Sequence, residues 1–257
     1  MIKAVIFDLD GTLYVGKTPV PGAAERLAEL RGKGIKVLFL TNAATRSRKG
    51  IVDKLKKMGF SAEKDEVYGG AFMLARYISE KHPGKTVYVV GEKGIFEEFK
   101  DAGIETADRA DIVAVGLDRH VTYEKLAKAH VNIEKGALFI ASNRDHTYPT
   151  EEGHLPGAGA IVAALENSSG KSPIVVGKPN LYVLNLIEKD HLIKREEMLM
   201  VGDRLETDVA FAKDGGMQAA LVLTGSTRKE EIAKRGAMKK NGKSPDFVFD
   251  SVAKLRI

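Results

Sequence analysis

The chain has no cysteine among its 257 residues. Disulfides, a thiol nucleophile and cysteine-based zinc or iron–sulfur sites are therefore excluded, and the usual marker of redox compartment is missing. Its six histidines show no HExxH or comparable ligand spacing and are expected in surface or core roles. Long apolar runs are absent too. The longest, such as AVIF and IVVG, are strand-sized, far short of the roughly 20 residues of a membrane span. Asp8 and Asp10 interrupt the place where the apolar region of a signal peptide would sit, so a cytoplasmic protein with no membrane partner is expected. Nor is charge of one sign concentrated. The formal charge of +5 and pI near 9.1 arise from 40 Lys and Arg dispersed among 35 Asp and Glu, which speaks against a nucleic-acid partner. The densest basic stretch, Lys239, Lys240 and Lys243, reads as a solvated loop.

What is present is enough apolar content, 44%, to bury a substantial core. Strand and helix patterns alternate along the whole chain. VIF, IKVLFL, TVYVV, DIVAVGL, LFIASN, SPIVVG, MLMVGD and AALVLTG read as strands, with helical spacing between them, as in GGAFMLARYISEK and LYVLNLIEKDHL. Such alternation predicts parallel sheets covered by helices, and the strands are too many for one small sheet. Two α/β domains are expected. Met73, Met198 and Met200 fall within apolar patterns and read as packing residues. LPGAGA lacks the third glycine of a dinucleotide loop and reads as a tight turn entering a helix.

The most informative stretch is MIKAVIFDLDGTLY, where an apolar strand runs into two aspartates spaced by one residue. Side chains alternate along a strand, so Asp8 and Asp10 project to the same side if strand geometry persists to the turn. At roughly 4 Å and an effective dielectric near 20 they would repel by about 4 kcal/mol. The pair implies a shared proton, a basic partner or a divalent metal.

Ligands of open parallel α/β sheets bind outside the carboxyl ends of the strands. IKVLFL is followed by Thr41, Asn42 and Ala43, SPIVVG by Lys178, and MLMVG by Asp203, with Asp208 five residues on. Each group alone has a plain alternative: Thr41–Asn42 as a helix cap, Lys178 as a surface lysine, Asp203 or Asp208 as a cap. Together with Asp8 and Asp10, they supply carboxylates, a hydroxyl, an amide and an ammonium at comparable levels, an inventory suited to a phosphate and Mg²⁺.

As an ordered set, DLDGT, TN, GKP and GDRLETD resemble the four motifs of the haloacid dehalogenase superfamily. DGTLY, SNRD, PGAGA, VGKP and the wide gap between the second and third motifs resemble its NagD-like, 4-nitrophenylphosphatase branch. The resemblance implies a Rossmann-like parallel-sheet core from residues 1–78 and 173–257, with a large α/β cap inserted at 79–172. It implies a Mg²⁺-dependent phosphatase acting on a small phosphorylated metabolite through a phosphoaspartate on Asp8, with Asp10 as general acid and base. Mg²⁺ would be held by Asp8, the Asp10 carbonyl and Asp203, with Asp208 supporting them from behind. Thr41, Asn42, the Ala43 amide and Lys178 would bind the phosphate. Substrate choice would fall to the cap, where Asn143, Arg144, Asp145, His146 and Tyr148 are candidate contacts. Asn143 and Asp145 read equally well as turn-shaping residues. The cap surface is also a place for a homodimer contact. A receiver-like signalling module and a non-catalytic phosphometabolite-binding protein are the alternatives. Asp10 discriminates the former, because a carboxylate two positions after the nucleophile favours turnover over a long-lived phosphoaspartate.

Overall fold

The computed structural model describes residues 1–150, 153–230 and 244–257. Lys239, Lys240 and Lys243 lie outside them. Six parallel strands form the main sheet, in the spatial order Phe247–Phe249, Gln218–Val222, Met198–Gly202, Ala4–Phe7, Lys36–Thr41 and Val67–Gly69. Its centre is covered on both faces, which is why AVIF is apolar without alternation. Ala4 and Ile6 join Leu38, Leu40, Met198 and Met200 on one side, while Val5 and Phe7 join Val37, Phe39, Leu199 and Val201 on the other. Met73 is buried in the first of these clusters as well. Register places Phe7 beside both Phe39 and Val201. The residues that follow, Asp8, Thr41 and Asp203, therefore emerge together along one edge of the sheet.

A second sheet of four parallel strands has the order Ile174–Val175, Leu138–Ala141, Ile112–Val115 and Val87–Val90. One of its faces, with Val87, Val89, Ile112, Ala114 and Ile140, shares a continuous apolar cluster with the main sheet. The other packs Val90, Val113 and Phe139 against helices Tyr123–Glu134 and Ala158–Ser169. At a few kcal/mol per fully buried aliphatic or aromatic side chain, the shared cluster ties the two sheets into one body.

This pairing corrects the expected return at residue 173. Ile174 lies beside Ile140 and Val175 beside Ala141, and Val176 and Gly177 donate to Ala141 O at 3.0 Å and Ser142 O at 2.8 Å. SPIVVG thus completes the inserted sheet rather than the core sheet, because its partner groups lie on Leu138–Ala141.

Two short antiparallel hairpins were not foreseen, Tyr14–Val15 with Thr18–Pro19 and Thr147–Thr150 with Gly153–Pro156. Their strands are too brief to show a period. The helical pattern after Asp203 resolves into a π-turn at Leu205–Val209 that continues as helix Ala210–Asp214. LPGAGA does enter a helix, Ala158–Ser169, which closes on Gly170 at φ 67°. Among the described residues, no helix is long and apolar enough to cross a membrane.

The inserted unit docks on the segment that follows Lys36–Thr41. Helix Lys93–Asp101 presents Glu97 to the Ser47 hydroxyl at 2.5 Å, and Glu98 to the Arg48 amide at 2.5 Å. Gly94 lets the helix lie on backbone: a Cβ there would stand 2.4 Å from both N and C of Arg46. Gly94→Ala is expected to destabilise the protein by about 1–3 kcal/mol despite alanine's better helix propensity. An unchanged or raised midpoint in urea denaturation would contradict this packing.

Candidate active site

Lys178 is the hub. Its buried ammonium donates to Asp8 Oδ1 and Asp208 Oδ1, both at 2.6 Å, and to the Leu40 carbonyl at 3.2 Å. Asn42 holds the lysine's backbone from both sides. Its Oδ1 accepts from the Lys178 amide at 2.9 Å, and its Nδ2 donates to the Lys178 carbonyl at 3.2 Å. Gly177 allows that approach, since a Cβ there would be 2.6 Å from Asn42 Oδ1 and 2.4 Å from Ser142 O.

Asp203 enters from the end of Met198–Gly202. Its Oδ2 accepts from the Ser226 amide at 2.6 Å, while its Oδ1 is buried with no hydrogen-bond partner. Gly11, at φ 88°, makes room beside it: a Cβ would lie 2.5 Å from Asp203 Oδ2. Oxygens of Asp8, Asp203 and Asp208 all fall within 4.8 Å of one another. Asp208 already has both oxygens engaged, by Lys178 and by the Arg204 amide at 3.0 Å. It therefore anchors the lysine, and Asp8 and Asp203 remain the carboxylates free to meet a cation. An oxygen-only donor set with an unpartnered buried carboxylate oxygen fits a hard divalent metal.

The electrostatics point the same way. Burial pushes the Asp8 carboxyl well above the usual carboxylate range; Lys178 pulls it back, and Asp208 and Asp203 push it further up. Burial and then Asp208 raise Asp203 to about 6. Burial works against the Lys178 charge, but Asp208 and Asp8 outweigh it and hold the ammonium above its ordinary value. One ammonium facing three carboxylates leaves an excess of negative charge.

Asp10 stands apart from this cluster. It is half-buried, accepts from Tyr14 Oη at 3.1 Å and faces Lys54 Nζ at 3.7 Å. Asp8 and Asp10 nonetheless line one cavity, with Thr41, Asn42, Ala43, Lys178 and Asp208. The Ala43 amide donates to Thr41 Oγ1 at 3.1 Å. The side chain of Asn42, expected to bind phosphate, is committed to Lys178 and to Asp145 Oδ1 at 3.2 Å, and so positions those groups.

From the inserted unit, Asn143, Asp145 and Tyr148 reach the same cavity, and His146 does not. His146 and Arg144 line a neighbouring chamber beyond Lys178, with His154 and Arg204. Asn143 and Asp145 do shape the turn, through Asp145 N to Asn143 Oδ1 at 3.0 Å, and they also join the two units, through Asn143 Nδ2 to Asn42 O at 2.8 Å. Arg204, Thr207, Leu117, Gly157 and Ala158 also line the cavity and were missed. Arg204 and Thr207 were visible inside GDRLETD, whereas Leu117 carried no signal.

A buried carboxylate paired with a lysine, a separate carboxylate on the same cavity and an oxygen donor set suited to a cation, gathered at the carboxyl edge of a parallel sheet, suit an α/β phosphoryl-transfer hydrolase. Family models agree: one described as haloacid dehalogenase-like hydrolase matches residues 5–105, and a second, HAD-hydrolase-like, matches residues 175–255. The chain is 38% identical over 235 residues to the acid sugar phosphatase of Staphylococcus saprophyticus, covering 91% of each. The 4-nitrophenylphosphatase structure from Thermotoga maritima superposes with a TM-score of 0.92 at 34% identity, covering 98% of this chain and 95% of that one. NagD from Escherichia coli K-12 gives 0.88 at 31% identity, covering 99% and 98%. The chain belongs to the haloacid dehalogenase-like hydrolases, in their NagD-like phosphatase branch, and is a phosphoric monoester hydrolase.

The raised Asp203 value fixes a sign for metal-free protein. A carboxyl at about 6 when folded, against roughly 3.9 unfolded, binds more protons in the folded state, so its contribution to stability falls as pH rises through that window. In chelator at pH 7, Asp203→Asn should exceed wild type in stability by on the order of 1–3 kcal/mol. The gap should close toward pH 4, and parallel pH profiles in denaturant melts would contradict this electrostatic strain.

Proposed function

We propose that the chain hydrolyses a small phosphomonoester, with sugar phosphates the class favoured by the name of its acid sugar phosphatase relatives, through a phosphoaspartate on Asp8. The observation that carries this reading is the split between the two leading aspartates: Asp8 sits in the Lys178–Asp203–Asp208 cluster, and Asp10 lines the same cavity outside it.

Asp8 attacks phosphorus in line while the ester P–O bond breaks and Asp10 delivers a proton to the departing oxygen. Asp10, now ionised, takes a proton from water as that water attacks the phosphoaspartate. Phosphate leaves and the Asp8 carboxylate is restored. Lys178 and the Thr41 hydroxyl face the phosphoryl oxygens, and the Ala43 amide borders them. Asp8 and Asp203 would hold Mg²⁺ together with the Asp10 carbonyl, and the ion would neutralise phosphoryl charge when bound. A cytoplasmic setting supplies both that ion and small phosphorylated metabolites. The pairing of Asp10 with Asp8 favours turnover over a stable acyl phosphate, and so favours an enzyme over a signalling module.

Hydrolysis of 4-nitrophenyl phosphate should require divalent metal and stop in excess chelator; metal-independent or absent turnover would overturn the reading. Asp8→Asn should eliminate steady-state hydrolysis, and unchanged activity would remove Asp8 as nucleophile. Asp10→Asn should lower turnover by roughly 10²–10⁴-fold yet still permit slow phosphorylation of Asp8, detectable by trapping. Normal turnover in that variant would reassign the proton donor.

A further inference from the structure

The phosphate cavity opens into a chamber of about 450 Å³ on the Asp10 side, sharing Asp10, Thr41, Ala43, Leu117 and Tyr148 with it. Its walls come from four places: Lys17 from the first hairpin, Arg46 from the segment after Lys36–Thr41, Lys54 from helix Arg48–Lys57, and Arg119 from the inserted unit. Among the described residues that line it, Asp10 is the single carboxylate.

These four cations differ in what already engages them. Arg119 is held by Glu92 through two contacts of 2.7 Å. Lys54 is shared between Asp10 at 3.7 Å and the face of the Tyr14 ring, 3.7 Å from its centroid. Lys17 and Arg46 are exposed and make no ion pair among the described residues. Arg46 also stands close enough to Lys54 for the two to repel each other. Unpaired cations gathered at the mouth of a cavity create a potential that favours an anion. The chamber on the opposite side lacks this bias, because Asp145 and Glu206 line it with its cations and Arg144 is paired with Glu166.

We propose that this chamber is the leaving-group subsite, and that it selects phosphomonoesters whose leaving group carries a second anion, a carboxylate or another phosphate, held by Lys17 and Arg46. The inference rests on the phosphatase reading, since the bond that breaks must face the proton donor, and Asp10 is the carboxylate that both spaces share. The phosphoryl end is fixed by Lys178. A leaving group departing past Asp10 therefore enters the cation-lined side.

The test compares kcat/KM of the metal-loaded full chain for 3-phosphoglycerate and glycerol 3-phosphate, which differ by a carboxylate in place of a hydroxymethyl group. 1,3-Propanediol bisphosphate serves as the second-phosphate arm. At least one anionic arm should exceed glycerol phosphate by roughly tenfold or more, with the gap narrowing in high salt, and the favoured arm tells carboxylate from phosphate. Lys17→Gln and Arg46→Gln should each shrink that ratio several-fold, mainly through KM, and Lys17→Arg should preserve it. Equal values for all three substrates, or a ratio untouched by both glutamine variants, would overturn the subsite. If 4-nitrophenyl phosphate is hydrolysed while no anionic preference appears, only the subsite fails; if it is not hydrolysed with any divalent metal, the phosphatase reading fails and the subsite with it.

Discussion

The Lys178 ammonium between Asp8 and Asp208 is the contact on which the rest of the site depends. Three carboxylates converge where solvent hardly reaches, and burial alone would favour their protonated forms. One lysine cannot neutralise all three, and the shortfall appears in the raised proton affinities of Asp8 and Asp203. The remaining negative charge makes a divalent cation a natural component, and with that ion the balance turns to suit a phosphate dianion. Removing either partner of such a buried pair is strongly unfavourable, so this cluster constrains its sequence more tightly than any single phosphate contact does.

The lysine does not arrive from the sheet that carries Asp8. It follows Ile174–Val175, the edge strand of the inserted sheet, and is locked by Asn42 at the end of the main-sheet strand. The insertion is consequently more than a cover over a finished site, because its last strand delivers the positive charge at the centre of the chemistry. Asn143 and Asp145 reinforce the junction through further hydrogen bonds to Asn42. The residues that orient Lys178 are thus the same ones that join the two units. The position of the inserted unit and the electrostatics of the site are set together.

Much of this was legible in the sequence for physical reasons. Strands buried on both faces must be continuously apolar, so AVIF and MLMVG announced themselves, and polar groups directly after them had to lie on one edge. The GKP strand was assigned to the wrong sheet, since IVVG is equally apolar in either one and only pairing with Leu138–Ala141 decides the matter. Asn42 was expected on phosphate because an amide after a strand looks like a ligand donor, and only its partners across the junction reveal a positioning role. Tyr14 stands at the end of DGTLY, but its contact with Asp10 depends on a hairpin too short to leave a period. Lys54 was invisible, because it reaches the site from a helix whose pattern reports only its buried face.

The two leading aspartates show how little separates equivalent residues in sequence from unequal ones in chemistry. Asp8 is buried among charges that hold its geometry, as the role proposed for it needs. Asp10, half-exposed and set by a phenol and a side-chain ammonium, has the access to solvent that suits the proton transfer proposed for it. The strand ends at Phe7, so both aspartates stand beyond it, and Gly11, in the left-handed region just after Asp10, leaves room for Asp203. A side chain at that position would collide with the Asp203 carboxylate, so the turn that follows the two aspartates admits the third. Chemistry is thereby confined to the carboxyl edge of one sheet. The cations around the chamber on the Asp10 side come from a hairpin, the segment after Lys36–Thr41, a helix and the insertion, so that they stand apart from the buried cluster.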